Sequence, residues 1–332
     1  MMKKITFIGT GAWASGLATV LAKNNHKITM WGIDQNEVDD INQGINSKYF
    51  GTQKFNNPKN IVATLNLNEA LEDFDYMVLA VPSSAFNNVI KQIKDIVKDK
   101  KINIINVAKG IDFKTNKFFS TVILDEFKGT VNNICSIIGP SFAVEVFENK
   151  LTMVNVVGQN PKFLKEISQI FNNDRFRLVV NDDEHGSELF AALKNVLAIG
   201  IGMVKEFHPY QNPQAALLSV GVKEIHNIYR ALFPDSNDIL GFELAGTGDI
   251  FLTCSSPKSR NFTFGTQVAK YGIQKALEIN NKTVEGYHTA KTLNNILKKF
   301  PNLYVPFLRS IIDVLHNGKN HLDLLDFIEF YR

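Results

Sequence analysis

Cysteine is scarce in this chain, which has 332 residues and only two cysteines, Cys135 and Cys254. The two lie far apart and form no Cys-x-x-Cys pair. This spacing argues against a disulfide framework and against a zinc site. We therefore expect a reducing compartment and no bound metal.

An excess of one charge and a long apolar run are also missing. The net charge is only +3, and the 36 lysines and arginines are scattered, which argues against the basic footprint typical of nucleic-acid binding. No uninterrupted apolar run approaches the roughly 18 residues of a membrane span. Met1-Met2-Lys3-Lys4 runs straight into a strand broken by Gly9, without the apolar core of a signal peptide. We expect a cytoplasmic protein with no membrane span and no nucleic-acid partner.

A strand, helix and strand pattern occupies residues 4–31, with Gly9-x-Gly11-x-x-Ala14 at its first turn. Gly9 permits the tight bend, Gly11 lets a pyrophosphate approach the backbone, and Ala14 lets the helix pack close to the strand. The helix would direct its free N–H groups at the phosphates, and Asn25 suits a left-handed C-cap. The pattern predicts a dinucleotide-binding unit. The alternative is a tight turn in some other α/β protein.

Strand and helix patterns alternate as far as residue 181 and then give way to helices alone. We expect an α/β chain with a Rossmann-like, doubly wound dinucleotide-binding domain, 1–181, and an all-helical substrate-binding and catalytic domain, 182–332. The predicted strands are 4–8, 26–31, 60–64, 76–82, 102–107, 134–138, 153–157 and 176–180. The predicted later helices begin near 182 and cover about 213–232, 262–278, 287–299 and 305–316.

The acidic residue Asp34 follows the second predicted strand, where the adenosine ribose of a dinucleotide should lie. A carboxylate there binds a ribose 2′-OH and repels a 2′-phosphate. Asp34 lies 23 residues after Gly11, somewhat late for that role, so an N-cap of a helix over 36–41 is an equal alternative. Residues 42–59 have the composition of a loop.

Two more motifs come directly after predicted strands. Lys109-Gly110 follows the strand at 102–107, and Gly139-Pro140-Ser141 follows the strand at 134–138. We expect both on the sheet edge that carries Gly9–Ala14, since ligands bind at the carboxyl ends of such strands. Pro140 fits the first turn of a helix.

Lys194 is the only charged residue in the apolar segment 189–204. One interpretation places it at the edge of a helix, with its ammonium extended to water. The other is a partly buried lysine facing a cleft, whose pKa would be lowered by burial and by a second cation such as Lys109. Such a lysine can exchange a proton with an alcohol.

A dense polar segment runs from Gly246-Thr247-Gly248-Asp249 to Ser259-Arg260-Asn261. Glycines let the backbone pass close to a ligand, and three adjacent donors including an arginine suit a phosphate. The alternative is a glycine turn, a capping Asp249 and a solvated Arg260.

Together these motifs resemble the NAD(P)-dependent glycerol-3-phosphate dehydrogenases, the bacterial type in particular, over nearly the whole chain and in the same order. The turn is similar to the family's Gly-x-Gly-x-Trp-Gly-Thr-Ala, although Ala14 and Gly16 stand where the family usually has glycine and alanine. Val220 stands where arginine is common. The other matching segments are Lys109-Gly110, Gly139–Ala143, Ala192–Val196, Gly246–Cys254, Ser259–Asn261 and Glu285–Tyr287.

The resemblance implies interconversion of dihydroxyacetone phosphate and sn-glycerol 3-phosphate with NAD or NADP, for glycerophospholipid synthesis, by a homodimer. It implies catalytic roles for Lys194, as acid and base, and for Lys109 and Asp249. The implied substrate contacts are Lys109, Gly139, Ser141, Lys194, Asp249, Ser259, Arg260 and Asn261. The implied cofactor contacts are Gly9, Gly11, Ala12, Trp13, Ala14, Ile33, Asp34, Lys109, Ala143, Arg260, Val284 and Glu285.

Two other functions stay open. Another two-domain reductase, of the hydroxyacid or ketopantoate type, would not need the phosphate site at Ser259-Arg260-Asn261. A dinucleotide-binding redox sensor without catalysis would leave Lys109, Lys194 and Asp249 without a task. The acidic residues of 34–40 lead us to expect a slight preference for NAD.

Overall fold

An eight-stranded sheet with flanking helices forms the first half of the computed structural model, which describes residues 1–112, 114–236, 238–280 and 284–332. All eight predicted strands are present within a few residues. Strands β1 to β8 are Lys4–Ile8, Lys27–Trp31, Ile61–Thr64, Tyr76–Leu79, Ile102–Asn106, Val131–Ile138, Thr152–Val157 and Phe176–Asn181.

The strand order is β3-β2-β1-β4-β5-β6-β7-β8. Neighbouring strands are parallel except β6 and β7, which are antiparallel. The order reverses between β1 and β4, which creates the crevice where such sheets bind ligands. Ile8 is in register with Trp31 and with Leu79, so these strands end at one edge.

The central strand β4 shows why the sheet is covered on both faces. Its residues alternate between two apolar layers: Tyr76 and Val78 pack into one, and Met77 and Leu79 into the other. All four are buried. A continuous apolar strand therefore has no solvent-facing side, as expected for a parallel sheet between helical layers.

Eight α-helices accompany the strands within the described residues. They are α1 Ala12–Lys23, α2 Gln35–Asn42, α3 Ser47–Phe50, α4 Leu67–Ala70, α5 Ser83–Val97, α6 Phe119–Glu126, α7 Ala143–Phe147 and α8 Pro161–Phe171. Helix α1 has Asn24 as its C-cap, and Asn25, the next residue, has the predicted left-handed conformation with a φ of +63°. The N–H of His26 bonds to the oxygen of Leu21, and that of Asn25 to Ala22, which is a Schellman termination.

Seven further α-helices follow within the described residues: α9 Glu184–Phe207, α10 Gln211–Leu232, α11 Asp249–Cys254, α12 Arg260–Tyr271, α13 Ile273–Ile279, α14 Glu285–Leu297 and α15 Pro306–His316. By length and composition α9 could cross a membrane, yet the whole apolar window is buried inside the protein. It is the central helix of a core, since a helix apolar on all sides must be covered on all sides.

Several local predictions were wrong. Pro140 lies outside a helix, because α7 begins only at Ala143 with Phe142 at its N-cap. The expected loop at 42–59 contains α3. The helix expected over 262–278 is broken at Gly272, whose φ of +79° ends one helix and starts another.

The chain divides into two compact units, one of Met1–Lys109 and Phe119–Glu184 and the other of Gly110–Phe118 and His185–Arg332. Residues 110–118 thus belong with the helical part of the chain. Whether the functional division lies at 181/182 stays a prediction.

A buried carboxylate in the second unit predicts a pH-dependent stability. Glu224 accepts hydrogen bonds from the N–H groups of Phe307 (2.9 Å) and Leu308 (2.8 Å) at the start of α15. Burial raises the pKa of Glu224 to about 7, although these two bonds oppose the shift. The folded state therefore binds a proton more tightly than the unfolded chain, and this stabilisation is lost as pH rises from about 4.5 to about 7.

We expect Glu224→Gln to flatten this dependence, so that its melting temperature relative to the unmodified chain rises by a few degrees between pH 4.5 and pH 8. Scanning calorimetry across that range measures the difference. Glu206→Gln, at an exposed position of α9, is the control. A constant difference for Glu224→Gln would contradict the prediction.

Candidate active site

The glycine turn between β1 and α1 is open where a phosphate would approach. Gly9 has a φ of +125°, and a Cβ there would lie 2.6 Å from the oxygen of Ala80, so only glycine fits. A Cβ at Gly11 would meet nothing within 4 Å. Gly11 is also the N-cap of α1, and no side chain of the described residues caps this helix. Its first N–H groups are thus available to an anion, and the turn fits a dinucleotide.

Gly16 accounts for the shifted glycine pattern of this turn. A Cβ at Gly16 would lie 3.3 Å from the oxygen of Ala143 at the start of α7, so its absence lets α1 and α7 approach. Ala14 is only 1% exposed, and its methyl group is accommodated. Ala12 and Trp13 are partly buried and pack against the apolar layer that contains Ala14. The indole Nε1 of Trp13 is buried and has no hydrogen-bond partner in the described ranges.

Asp34 is the N-cap of α2, as one interpretation predicted: its carboxylate accepts a hydrogen bond from the N–H of Asn36 at 3.0 Å. This hydrogen bond and the ammonium of Lys48, whose Nζ lies 3.4 Å from Asp34 Oδ2, hold the pKa of Asp34 below its usual value. Ile33 is 85% exposed, so its side chain is free to contact a ligand. The cap leaves Asp34 just beyond the carboxyl end of β2, which is where such a sheet receives the adenosine ribose.

Lys109 and the segment after β6 lie together at the predicted sheet edge. The Lys109 Nζ donates to the backbone oxygen of Gly139 at 3.0 Å, and the hydroxyl of Ser141 donates to the same oxygen at 3.1 Å. Gly139 has a φ of +153°, and a Cβ there would lie 2.9 Å from Val154. The first unit therefore presents a cation and a hydroxyl next to each other.

Lys194 is buried, 6% exposed, so the interpretation that placed it at a helix edge was wrong. Its ammonium donates to Asp249 Oδ1 at 3.0 Å and to the hydroxyl of Thr253 at 2.7 Å. The carboxylate supplies the opposite charge that a buried ammonium requires. Asp249 and Thr253 are four residues apart on α11 and so share one face. Thr253 was not predicted from the sequence, although its four-residue spacing from Asp249 was the available signal.

Asp249 is not a helix cap. The N-cap of α11 is Gly248, and Asp249 is the first helical residue, 1% exposed. The preceding Leu244–Gly248 forms a π-helical turn, and a Cβ at Gly246 would lie 2.3 Å from the oxygen of Leu240. The glycine of this motif allows the close backbone approach that places Asp249 against Lys194.

The Ser259-Arg260-Asn261 segment is the start of α12. Ser259 is its N-cap and accepts from the N–H of Phe262 at 3.4 Å, while Arg260 is exposed. The side-chain oxygen of Asn261 accepts from the N–H of Gly286 at 2.9 Å. Asn261 thus uses its acceptor within the protein, and its amide N–H groups are suited to a ligand.

The segment 284–286 lies against the residue after Lys194. Asn195 donates to the Glu285 carboxylate at 3.5 Å, and a Cβ at Gly286 would lie 2.4 Å from the oxygen of Asn195. Val284 is the buried N-cap of α14. Asn195 thus contacts the segment 284–286, a role that was not predicted from the sequence. Val220, at the position that departs from the family pattern, is half-buried and packs against the helical core.

The two cysteines lie outside this chemistry. Both are free and buried, and burial raises the pKa of both thiols, so they are unreactive. No group of three or more potential metal ligands occurs in the part of the chain that the structure describes.

An open glycine turn on a doubly wound sheet and a buried lysine held by a carboxylate define a dinucleotide-dependent oxidoreductase. Residues 4–164 match the family model for the N-terminus of NAD-dependent glycerol-3-phosphate dehydrogenase, and residues 183–326 match the model for its C-terminus. The chain belongs to this family.

The chain aligns with relatives over almost its full length. The chain is 41% identical to a glycerol-3-phosphate dehydrogenase (NAD(P)+) of Malacoplasma penetrans, covering 94% of this chain and 92% of that one. It is 37% identical to the enzyme of that name in Mesoplasma florum, over 98% and 96%. A crystal structure of glycerol-3-phosphate dehydrogenase from Coxiella burnetii superimposes with a TM-score of 0.88 at 29% identity, covering 99% of each chain.

Proposed function

We propose that this protein is an NAD(P)-dependent sn-glycerol-3-phosphate dehydrogenase that interconverts dihydroxyacetone phosphate and sn-glycerol 3-phosphate. The observation that carries the proposal is the buried Lys194, with its ammonium bonded to Asp249 and Thr253, in a chain that matches the family along both halves.

The proton chemistry is assigned to Lys194. During reduction the C2 carbonyl of dihydroxyacetone phosphate gains a hydride at carbon and a proton at oxygen. A bound nicotinamide dinucleotide supplies the hydride. Lys194 holds a proton at the C2 oxygen and transfers it as the alcohol forms, and the reverse reaction returns the proton to Lys194. Asp249 and Thr253 orient the ammonium, which limits the geometries in which it can donate.

The phosphate is assigned to the start of α12. Ser259, Arg260 and Asn261 supply adjacent donors there, and the guanidinium suits the phosphate oxygens. Lys109, Gly139 and Ser141 of the first unit are proposed as further substrate contacts. Binding energy from the phosphate helps to position C2 for hydride transfer.

The dinucleotide is assigned first to the glycine turn, where the uncapped α1 would receive its pyrophosphate. The remaining cofactor contacts are proposals from the family resemblance. The proposed set is Gly9, Gly11, Ala12, Trp13, Ala14, Ile33, Asp34, Lys109, Ala143, Arg260, Val284 and Glu285.

Dihydroxyacetone phosphate with NADH or NADPH, followed at the cofactor absorbance, tests the function. Turnover with either cofactor supports it. Binding of a cofactor without turnover would favour a redox sensor, and turnover of a 2-oxo acid instead would favour a hydroxyacid or ketopantoate type of reductase.

We expect kcat/KM to be about tenfold higher with NADH than with NADPH, which corresponds to about 1.4 kcal/mol. A 2′-phosphate carries nearly two negative charges and would approach Asp34. Side-by-side kinetics at fixed dihydroxyacetone phosphate measure the ratio. A clear advantage for NADPH would contradict this prediction.

We further propose that the protein acts in the cytoplasm as a homodimer and supplies the glycerol phosphate backbone of phospholipids. The functional division is proposed as a dinucleotide-binding part, 1–181, and a catalytic part, 182–332. Sedimentation of the purified protein tests the dimer, and a single species at the monomer mass of 37.3 kDa would exclude it.

A further inference from the structure

A cluster of Asp34, Glu37 and Lys48 lies at the carboxyl end of β2, which is where a dinucleotide-binding sheet receives the adenosine ribose. Lys48 forms ion pairs with both carboxylates, in contact with Glu37 and 3.4 Å from Asp34. Glu37 is buried, whereas the side chains of Asp34 and Lys48 are 41% and 51% exposed.

Glu37 also connects the cluster to the glycine turn. Its second oxygen accepts a hydrogen bond from the hydroxyl of Thr10 at 2.5 Å, and Thr10 stands between the two glycines of the turn. The segment that carries Lys48 is held at the same turn, because the buried Asn46 donates to the backbone oxygen of Thr10 at 2.9 Å and to the Ser15 hydroxyl at 3.0 Å. Lys48 is therefore kept near the ribose position, but its charge is already compensated.

The balance of charge determines what this position accepts. Two carboxylates and one ammonium leave one net negative charge, which disfavours a 2′-phosphate of nearly two negative charges. A ribose 2′-OH meets no such penalty and can donate to Asp34. If Glu37 were neutral, the net charge would be zero and Lys48 could turn to the 2′-phosphate, which in NADPH replaces the hydroxyl that Asp34 binds in NADH.

We propose that Glu37 is a specificity-determining residue that favours NADH over NADPH in this protein, by binding Lys48 and so withholding it from the 2′-phosphate of NADPH. The proposal deepens the proposed function and rests on it. It assigns selectivity to a buried side chain one helical turn beyond Asp34, acting through a cation from a different helix.

The test measures dissociation constants of NADH and NADPH by titration calorimetry, without any turnover. Glu37→Gln is chosen because its amide oxygen can still accept from Thr10. It should tighten NADPH binding about tenfold, the low end for a hydrogen bond between charged groups, and change NADH binding less than about threefold. In Glu37→Gln combined with Lys48→Met, the gain for NADPH should disappear.

Asp39→Asn is the matched control, since it removes one negative charge from the same helix and Asp39 is exposed and bonded to Gln35. An equal gain in this control, no gain in Glu37→Gln, or a gain that survives Lys48→Met would each overturn the proposal.

Lys48→Met alone provides a measurement that does not depend on the folding of the Glu37 variant. It leaves two uncompensated carboxylates and should raise the preference for NADH about threefold. An unchanged ratio would also overturn the proposal. If the unmodified protein bound neither cofactor, the proposed function would fail instead, so the two failures are distinguishable.

Discussion

Replacing Lys194 with alanine should lower kcat for dihydroxyacetone phosphate by about 10²–10⁴-fold, roughly 3–5 kcal/mol of barrier. The lysine ammonium is the group that the structure holds in place with a carboxylate and a hydroxyl, and its loss removes the proposed proton donor. Steady-state kinetics measure kcat, and calorimetric titration should show cofactor binding largely unchanged.

Stability complicates this variant and suggests a matched control. Lys194→Ala leaves the buried Asp249 without its ion pair, which is destabilising by itself. Combining it with Asp249→Asn removes both charges and should recover the melting temperature without recovering turnover. Retention of more than about a tenth of the activity in either variant would remove Lys194 from the mechanism.

The sheet was predictable because its signals are local. A strand such as β4 is a continuous apolar run, and a glycine turn such as Gly9-x-Gly11 shows where a neighbouring strand ends. Both patterns can be read directly along the chain. The antiparallel pairing of β6 with β7 was not visible in this way, since it depends on how the strands between 131 and 157 meet in space. Pro140 was misplaced because proline permits a helix start without requiring one.

The site was predictable in its composition but not in its contacts. A lone lysine in an apolar helix can be at an edge or buried, and only the position of Asp249, 55 residues later, separates the two. Thr253 was missed because threonine in a helix is ordinary until its neighbours are known. The partner of Lys48 was likewise not predictable. The sequence shows a cation near several acidic residues, whereas the structure shows that it pairs with Glu37.

Replacing Arg260 with alanine should lower kcat/KM for dihydroxyacetone phosphate by about a hundredfold and change turnover of unphosphorylated dihydroxyacetone much less. Arg260 is exposed at the first residue of α12, beside two other donors, and a guanidinium binds phosphate more strongly than neutral donors do. A loss of about 3 kcal/mol is the upper range for one hydrogen bond to a charged group. Kinetics on the two substrates, with saturating cofactor, give the two ratios.

Lys258→Ala is the control for Arg260→Ala, because it removes an exposed positive charge two residues away. It leaves the proposed phosphate donors Ser259, Arg260 and Asn261 unchanged. It should change both substrates by less than about threefold, as expected for a screened surface charge. Equal losses on the phosphorylated and unphosphorylated substrates in Arg260→Ala would mean that Arg260 does not bind the phosphate. A similar loss in Lys258→Ala would mean that the general field of the segment acts instead. A selective loss in Arg260→Ala alone would place the substrate phosphate at the start of α12.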